Sequence, residues 1–449
     1  MLLFFASLAL TIALILGLER FAHPRSNRPI FHRLSMLSTM PPVVFYSTLF
    51  MVSYRPVFSA LVTLVVFAGI VIVNNAKMAI LREPLVFSDF ALLRQAIQYP
   101  ALYIKYVGVG KVVGVIVAAV SAVVLAVTLE SPLVHRSDLD DFFPMALYLV
   151  TVIGLIYSIT RGPFRGPFSD LLRRFGPTAS VAQDMDKLSL VVCLIFYFFL
   201  SNEPALRQAP PVRPRPRRPA RVPSPLPPGL KRTHVVAVQS ESFFDARRLH
   251  PSIPQNLLAR YDAAAREASY RGRLTVPAWG ANTMRTEFAF LSGLPNEALG
   301  FHRFNPYLSL CKKPVWTIAH LFRSMGYRTI CVHPFHASFF DRETVFPNLG
   351  FDRFIDIESF GDAAHFGPYV CDVAVADKIC EVLDEDSEKP AFVFAITMEN
   401  HGKWEKGRLD DCPADDAIEE RPLGSHELGS YLRHLRNTDG LVDRIVSDL

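Results

Sequence analysis

The sequence is poor in charge for its length: Asp, Glu, Lys and Arg make up 20% of 449 residues, against 50% for hydrophobic residues. That balance excludes a chain disordered throughout. Cysteine is also sparse, and none of the six cysteines stands in a Cys-x-x-Cys or Cys/His spacing, so a structural zinc site is not expected. Cys193 lies inside an apolar run. In an exported second half, Cys311, Cys331, Cys371, Cys380 and Cys412 would meet an oxidising compartment, where disulfides are possible but unpairable from sequence. Cys331, within the strand-like run Thr329–His333, reads equally as a buried thiol. No internal repeat is present, and long apolar runs are nearly absent after Leu200. The net charge of +5 sits largely in Arg clusters beside the apolar runs and in one Pro/Arg stretch. It reads as membrane topology, and no nucleic-acid partner is needed to explain it.

What the first half does contain is six apolar runs: Leu2–Leu18, Val43–Tyr54, Val57–Val73, Val112–Leu129, Phe143–Ile159 and Leu188–Leu200. Several are shorter than the ~20 residues of a perpendicular membrane helix, so residues 1–202 are expected to form five or six spans. The first run has no preceding basic residue and no small-residue cleavage site, so it reads as an anchor. Arg20, Arg25, Arg28 and Arg33 follow it; Arg82, Arg94 and Lys105 lie between Lys77 and Lys111; Arg161, Arg165, Arg173 and Arg174 follow Ile159. The positive-inside rule puts these three loops in the cytoplasm, and the loop with Asp138, Asp140 and Asp141 outside. A single kinked span over 43–73 would put four Arg outside and fits less well. Either way the expectation is a multi-pass protein of a bacterial inner membrane with everything after Leu200 outside the cytoplasm.

Residues 203–232 are crowded with Pro and Arg, which favours an extended linker. Its basic residues suit anionic headgroups as well as water. From Thr233 the pattern alternates. Strands are expected at His234–Val238, Arg273–Val276, Thr329–His333 and Ala391–Thr397. Helices are expected around Leu257–Ala268, from about Met284, at Trp316–Met325, at Asp372–Leu383 and at Ser430–Asp448. That order predicts an α/β sandwich with a mainly parallel sheet, whose chemistry gathers at the carboxyl ends of strands.

Four segments at such ends carry candidate chemistry. Glu241 follows the first strand, where a carboxylate serves either as a hard-cation ligand or as a helix cap. Thr283, in Trp279-Gly-Ala-Asn-Thr-Met-Arg-Thr-Glu-Phe288, stands near a helix start. Its hydroxyl is either an N-cap or a nucleophile beside a phosphate held by the helix N-terminus. As a nucleophile it needs activation by a base or metal. His333 and His336 read as metal ligands, substrate partners or structural histidines, and Arg342 offers a planar fork suited to phosphate. His401 closes the run Thr397-Met-Glu-Asn-His401 after an apolar strand.

The run Gly280-Ala-Asn-Thr-Met-Arg-Thr-Glu-Phe-Ala-Phe-Leu-Ser-Gly-Leu-Pro295 resembles the nucleophile region of the lipoteichoic acid synthase and phosphoglycerol transferase family, within the alkaline phosphatase/sulfatase superfamily. The likeness extends over the multi-helix anchor, the segment Arg82–Asp89, the linker and the second half. It implies an α-helical transmembrane bundle followed by an alkaline phosphatase/sulfatase-like α/β domain over 233–449. By it Glu241 matches a metal ligand, and Thr283 matches the nucleophile that also touches the metal. His333, Arg342 and His401 match positions that bind the phosphoglycerol head group. Phe340 stands where some relatives have Trp, keeping an apolar wall without the indole donor. The implied cofactor is Mn²⁺ or Mg²⁺ rather than Zn²⁺, the donor a phosphatidylglycerol-like lipid, and the acceptor an envelope polymer or glycan.

Relatives carry a further strand ending in an Asp-His pair that completes the metal site, and no such pair follows here. The expectation is therefore a C-terminally incomplete domain. Two alternatives stay open: a sulfatase-like hydrolase or phosphodiesterase with water as acceptor, and an inactive membrane scaffold. A formylglycine sulfatase is disfavoured, since Thr283 replaces its Cys or Ser and the downstream Pro and Arg spacing is absent.

Overall fold

A computed structural model describes residues 2–25, 35–100, 109–133, 142–201, 233–280, 282–385, 388–413 and 415–448. The chain divides into two compact units, Met1–Gln208 and Ala209–Leu449. Arg28, Arg33, Lys105, the acidic loop at 138–141 and the Pro/Arg stretch at 203–232 lie outside the described residues.

Among the described residues of the first unit, each apolar run becomes a helix: α1 (Leu2–Glu19), α2 (Met40–Ser53), α3 (Pro56–Leu81), α4 (Val109–Leu129), α5 (Phe142–Thr160) and α6 (Leu190–Ser201). Of these, α1, α3 and α5 are long and apolar enough to cross a membrane by length and composition. The chain is a membrane protein on that ground. Residues 43–73 do not form one kinked helix. Tyr54 turns into the left-handed region at φ 52 and Pro56 opens α3, so the chain stops and restarts there. Along α3 the buried positions Ser59 and Thr63 return their hydroxyls to the carbonyls of Arg55 and Ser59, leaving no bare polar atom on the packed face.

The second unit is built on a four-stranded parallel sheet. Its strands are β1 (Val235–Gln239), β2 (Arg328–Val332), β3 (Arg353–Ile355) and, late in the chain, Ala391–Ile396, in the order β1, Ala391–Ile396, β2, β3. A two-stranded antiparallel hairpin, β4 (His365–Phe366) and β5 (Tyr369–Val370), precedes the late strand, which is β6. All six residues of β6 are buried, because the sheet is covered on both faces. Phe392, Phe394 and Ile396 face a core with Met284, Phe288, Phe346 and Phe351, whereas Val393 and Ala395 face one with Val375, Ile379, Leu441 and Ile445.

The helices of this unit include α7 (Ala259–Glu267), α8 (Thr283–Ser292), α9 (Ile318–Ser324), α10 (Arg342–Asn348), α11 (Asp372–Asp384) and α12 (His426–Asp448), of which α8, α10, α11 and α12 supply core residues just named. In α12, Leu432, Leu435, Leu441 and Ile445 are buried at helical spacing, as its amphipathic pattern requires.

The strand expected at Arg273–Val276 does not form. No strand pairs with these residues, and they lie exposed, Leu274 to 78%. Alternating apolar residues without a neighbour to complete their ladder have no reason to stay extended. Strand β3 and the β4–β5 hairpin, too short for a periodic signal, are additions to the expected elements.

Candidate functional site

Three neighbouring strands deliver side chains to one sheet edge. β1 pairs with β6 at Gln239↔Ile396, and β6 with β2 at Ala395↔Val332, so Glu241, Thr397 and His333 leave the sheet together. Direct bonds tie these ends. The Glu241 backbone N–H donates to Thr397 Oγ1 at 3.0 Å, and His333 Nδ1 lies 2.9 Å from the Ile396 carbonyl. A carbonyl only accepts, so the proton of His333 is on Nδ1 and Nε2 carries the lone pair. Burial, then the charges of Arg342 and His401, hold His333 well below the usual histidine range. It is a neutral imidazole at physiological pH.

Arg342 is buried to 1% exposure, with Phe340 lying beneath its guanidinium at 5.1 Å. Its Nη2 donates to Glu287 Oε1 at 2.7 Å and its Nε reaches Oε2 at 3.4 Å, while the Tyr307 hydroxyl donates to the same Oε2 at 2.6 Å. Glu287, one turn into α8, is fully buried. It therefore neutralises Arg342 and clamps the helix headed by Thr283 to the wall formed by Phe340. Two guanidinium N–H groups of Arg342 are committed to this clamp, and Nη1 sits 3.4 Å from the Phe339 carbonyl.

Thr283 is the first residue of α8 and is half-buried. It makes no hydrogen bond to Glu241, His333 or His401 among the described residues; its connection runs through the Glu287 clamp. The residue before it, Asn282, is left-handed at φ 59 and makes no side-chain cap. Left-handed non-glycine residues recur here: Ser242 after Glu241, and Phe340 and Asp341 before Arg342. Such conformations cost of order 1–3 kcal/mol each and gather where side chains are held for a purpose.

His401 completes the arrangement. Its Nδ1 donates to the Gly402 carbonyl at 2.8 Å, and its ring meets Tyr369 of β5 at 6.0 Å. His336 is exposed on the same loop as Phe340.

Behind this edge lies a buried polar network that the sequence reading did not single out. Glu399 Oε1 accepts from His434 Nδ1 at 2.9 Å and from Asn437 at 3.1 Å; Oε2 accepts the Asp372 N–H at 2.6 Å. Asp372 Oδ2 accepts from Thr438 at 2.7 Å. Arg408 Nε donates to His434 Nε2 at 2.9 Å, which fixes that imidazole as neutral: its approach to Glu399 is a hydrogen bond, and no ion pair forms. Burial, reinforced by Arg408 and Arg433, lowers His434 to about 3. Burial and the neighbouring Glu399 raise Asp372, and burial raises Glu399, so both carboxyls stand above the ordinary carboxylate range. Ser240 Oγ, Asp372 Oδ1 and Asn400 Nδ2 are buried without a hydrogen-bond partner among the described residues. Signals for this network were present: Glu399 stands two residues before His401, and His434 and Thr438 interrupt the apolar stripe of α12 at i, i+4.

Residues 233–449 match the sulfatase family. They are a sulfatase-family domain. Members of that superfamily depend on metal ions. Among the described residues no group of three or more His, Cys, Asp or Glu is disposed to hold one, and Glu241 already accepts from Ser242 Oγ at 2.8 Å. One carboxylate and one threonine hydroxyl fall short of the six or so oxygens of a hard cation, so the described residues alone do not fit such an ion.

Over 98% of its length the chain is 28% identical to the capsular polysaccharide biosynthesis protein RkpI of Rhizobium meliloti (strain 1021), covering 81% of that protein. Among solved structures it is similar to the lipoteichoic acid synthase LtaP from Listeria monocytogenes (21% identity, TM-score 0.41, 48% of this chain and 51% of that one). It is also similar to the Streptococcus pyogenes phosphoglycerol transferase GacH in complex with sn-glycerol-1-phosphate (26% identity, TM-score 0.39, 48% and 56%). The chain spans about half the length of these solved chains.

Proposed function

We propose that this protein transfers phosphoglycerol, or a similar phospho-alcohol, from a membrane phospholipid through a Thr283 phosphodiester to a hydroxyl of an envelope polymer or glycan. The observation that carries the reading is the Glu287–Arg342 clamp. It joins the helix headed by Thr283 to the wall bearing Phe340 and His333, in a sulfatase-family domain on a chain with three membrane-length helices. The relative RkpI, named for capsular polysaccharide biosynthesis, supports a polymer acceptor.

In the first step Thr283 Oγ forms a bond to the phosphorus of a phosphatidylglycerol-like donor while the bond to the diacylglycerol oxygen breaks; the threonine proton ends on that oxygen. An acceptor hydroxyl then attacks the same phosphorus, and Thr283 recovers a proton. The free N–H groups at the start of α8 face the developing charge of the phosphate. Arg342, held by Glu287, has N–H groups left for a phosphate oxygen. His333 and His401 offer imidazole nitrogens to the glycerol hydroxyls, and Phe340 supplies the apolar wall. A divalent cation, proposed as Mn²⁺ or Mg²⁺ in preference to Zn²⁺, would need ligands beyond Glu241 and Thr283, and neither step above is routed through it. Such an ion lends Lewis acidity when bound. The catalytic unit is proposed to stand outside the cytoplasm of a bacterial inner membrane.

The test uses the full chain in vesicles of labelled phosphatidylglycerol. Diacylglycerol release and a glycerophosphate adduct on Thr283 by mass spectrometry are expected. Donor turnover undiminished in Thr283→Ala removes the mechanism, and label reaching water but no saccharide assigns the protein to hydrolysis.

A further inference from the structure

The β4–β5 hairpin lies between His401 and a cleft of about 540 Å³, within the range of small-ligand sites. Phe366 lines the cleft and stands edge-on to His434 at 5.0 Å. Its register partner Tyr369 meets the His401 ring. The cleft and the candidate transfer site thus lie against one short hairpin. Asn437 on the cleft lining donates to Glu399, two residues before His401, so a second connection runs through the floor.

The polar lining comprises His365, Asp415, Asp416, Arg433, Arg436 and Asn437. The lining holds two arginines and two carboxylates, with Arg436 3.4 Å from Asp415, so its formal charges cancel. Hydrogen-bonding capacity nevertheless remains. His365 donates Nδ1–H to the Ala363 carbonyl, which leaves Nε2 as an acceptor. Asn437 uses its amide N–H and keeps its oxygen. Arg433 Nε is buried without a partner, although Nη2 donates to the Pro413 carbonyl at 2.6 Å. Planar forks of donors and acceptors, balanced in charge and set beside Phe366 and Val373, match a neutral polyhydroxylated ring.

We propose that this cleft is a saccharide subsite that seats a neutral stretch of the acceptor glycan beside the transfer site. The role as acceptor site rests on the function proposed above, whereas saccharide binding stands by itself, and the experiment separates the two. Full-length protein in lipid nanodiscs is titrated with maltohexaose, cellohexaose and laminarihexaose, with saturation-transfer NMR as readout. Donor cleavage is followed separately as diacylglycerol released to water. At least one oligosaccharide is expected to bind. Asp416→Ala and, independently, Arg436→Ala, both at exposed positions, are expected to weaken binding about tenfold while leaving diacylglycerol release unchanged. Binding that survives in both variants, tighter binding of hexagalacturonate than of every neutral oligomer, or no binding by any of the three overturns the subsite. Binding lost in both variants while donor cleavage is absent even in the wild type keeps the saccharide site and sinks only the transferase reading.

Discussion

At the scale of single residues, Thr283 and Arg342 differ in what their removal tests. Thr283 follows an N-cap residue, Asn282, that makes no side-chain cap bond, and it heads a helix that Glu287 holds from within. Thr283→Ala is therefore expected to shift the denaturation midpoint by no more than ~1 kcal/mol of stability, while transfer from phosphatidylglycerol disappears. Arg342 is structural as well as proposed to bind phosphate. Arg342→Ala leaves Glu287 charged and unpaired in a fully buried position, so a loss of ~3–5 kcal/mol is expected by urea titration. The paired change Arg342→Met with Glu287→Gln removes the uncompensated charge and keeps an acceptor for Tyr307. It should recover most of the stability but none of the transfer; if transfer returns too, Arg342 has no part in binding the head group.

At the scale of elements, α12 brings His434 and Thr438 to Glu399 and Asp372, and this packing makes stability depend on pH from both sides. His434 titrates at ~6.5 when unfolded and about 3 when folded, so the unfolded state binds more protons in between. Stability therefore falls as pH drops from 6.5 toward 3, by at most about 1.4 kcal/mol per unit from this group. Asp372 behaves oppositely. Burial and the adjoining Glu399, itself raised by burial, hold its folded value above the unfolded ~3.8, so its contribution is present at low pH and is lost as pH rises through the raised range of the pair. Denaturant titrations across pH 5–8 should show the acid limb flattened in His434→Gln and the alkaline limb flattened in Asp372→Asn; unchanged slopes would mean these groups are wet.

The sequence disclosed the elements with strong periodicity, among them β6 as an unbroken apolar run and α12 as an amphipathic stripe. It could not disclose β3, three residues long, or the β4–β5 hairpin, because two-residue strands carry no period. Strand-end residues such as Glu241 and His333 were legible because a polar side chain after an apolar strand has few places to go. The pairing of Glu287 with Arg342 was not, since 55 residues separate them and only the packing of α8 against α10 joins them.

At the scale of the whole molecule, two units of opposite character share one chain, and loop charge predicts that the second stands outside the cytoplasm. A periplasm-dependent reporter fused after Ser201 should be active, and one fused near Arg173 silent. The reverse pattern would place the sulfatase-family domain in the cytoplasm, away from an external acceptor.

The register of the sheet bears on how that domain comes into being. Among the described strands β1 is the first to leave the ribosome, yet its neighbour β6 is the last of them: Val235 aligns with Phe392, and β2 also waits for β6. Among the described strands of the sheet, only β2 and β3 can pair before residue 391 has been made. Non-local parallel pairing of this kind is slow. Until then β1 has no strand beside it among the described residues, and the four described strands of the sheet are joined by one late segment of six residues. A ribosome stalled before Ala391 should yield a protease-sensitive product, and one stalled well beyond Ile396 a resistant core.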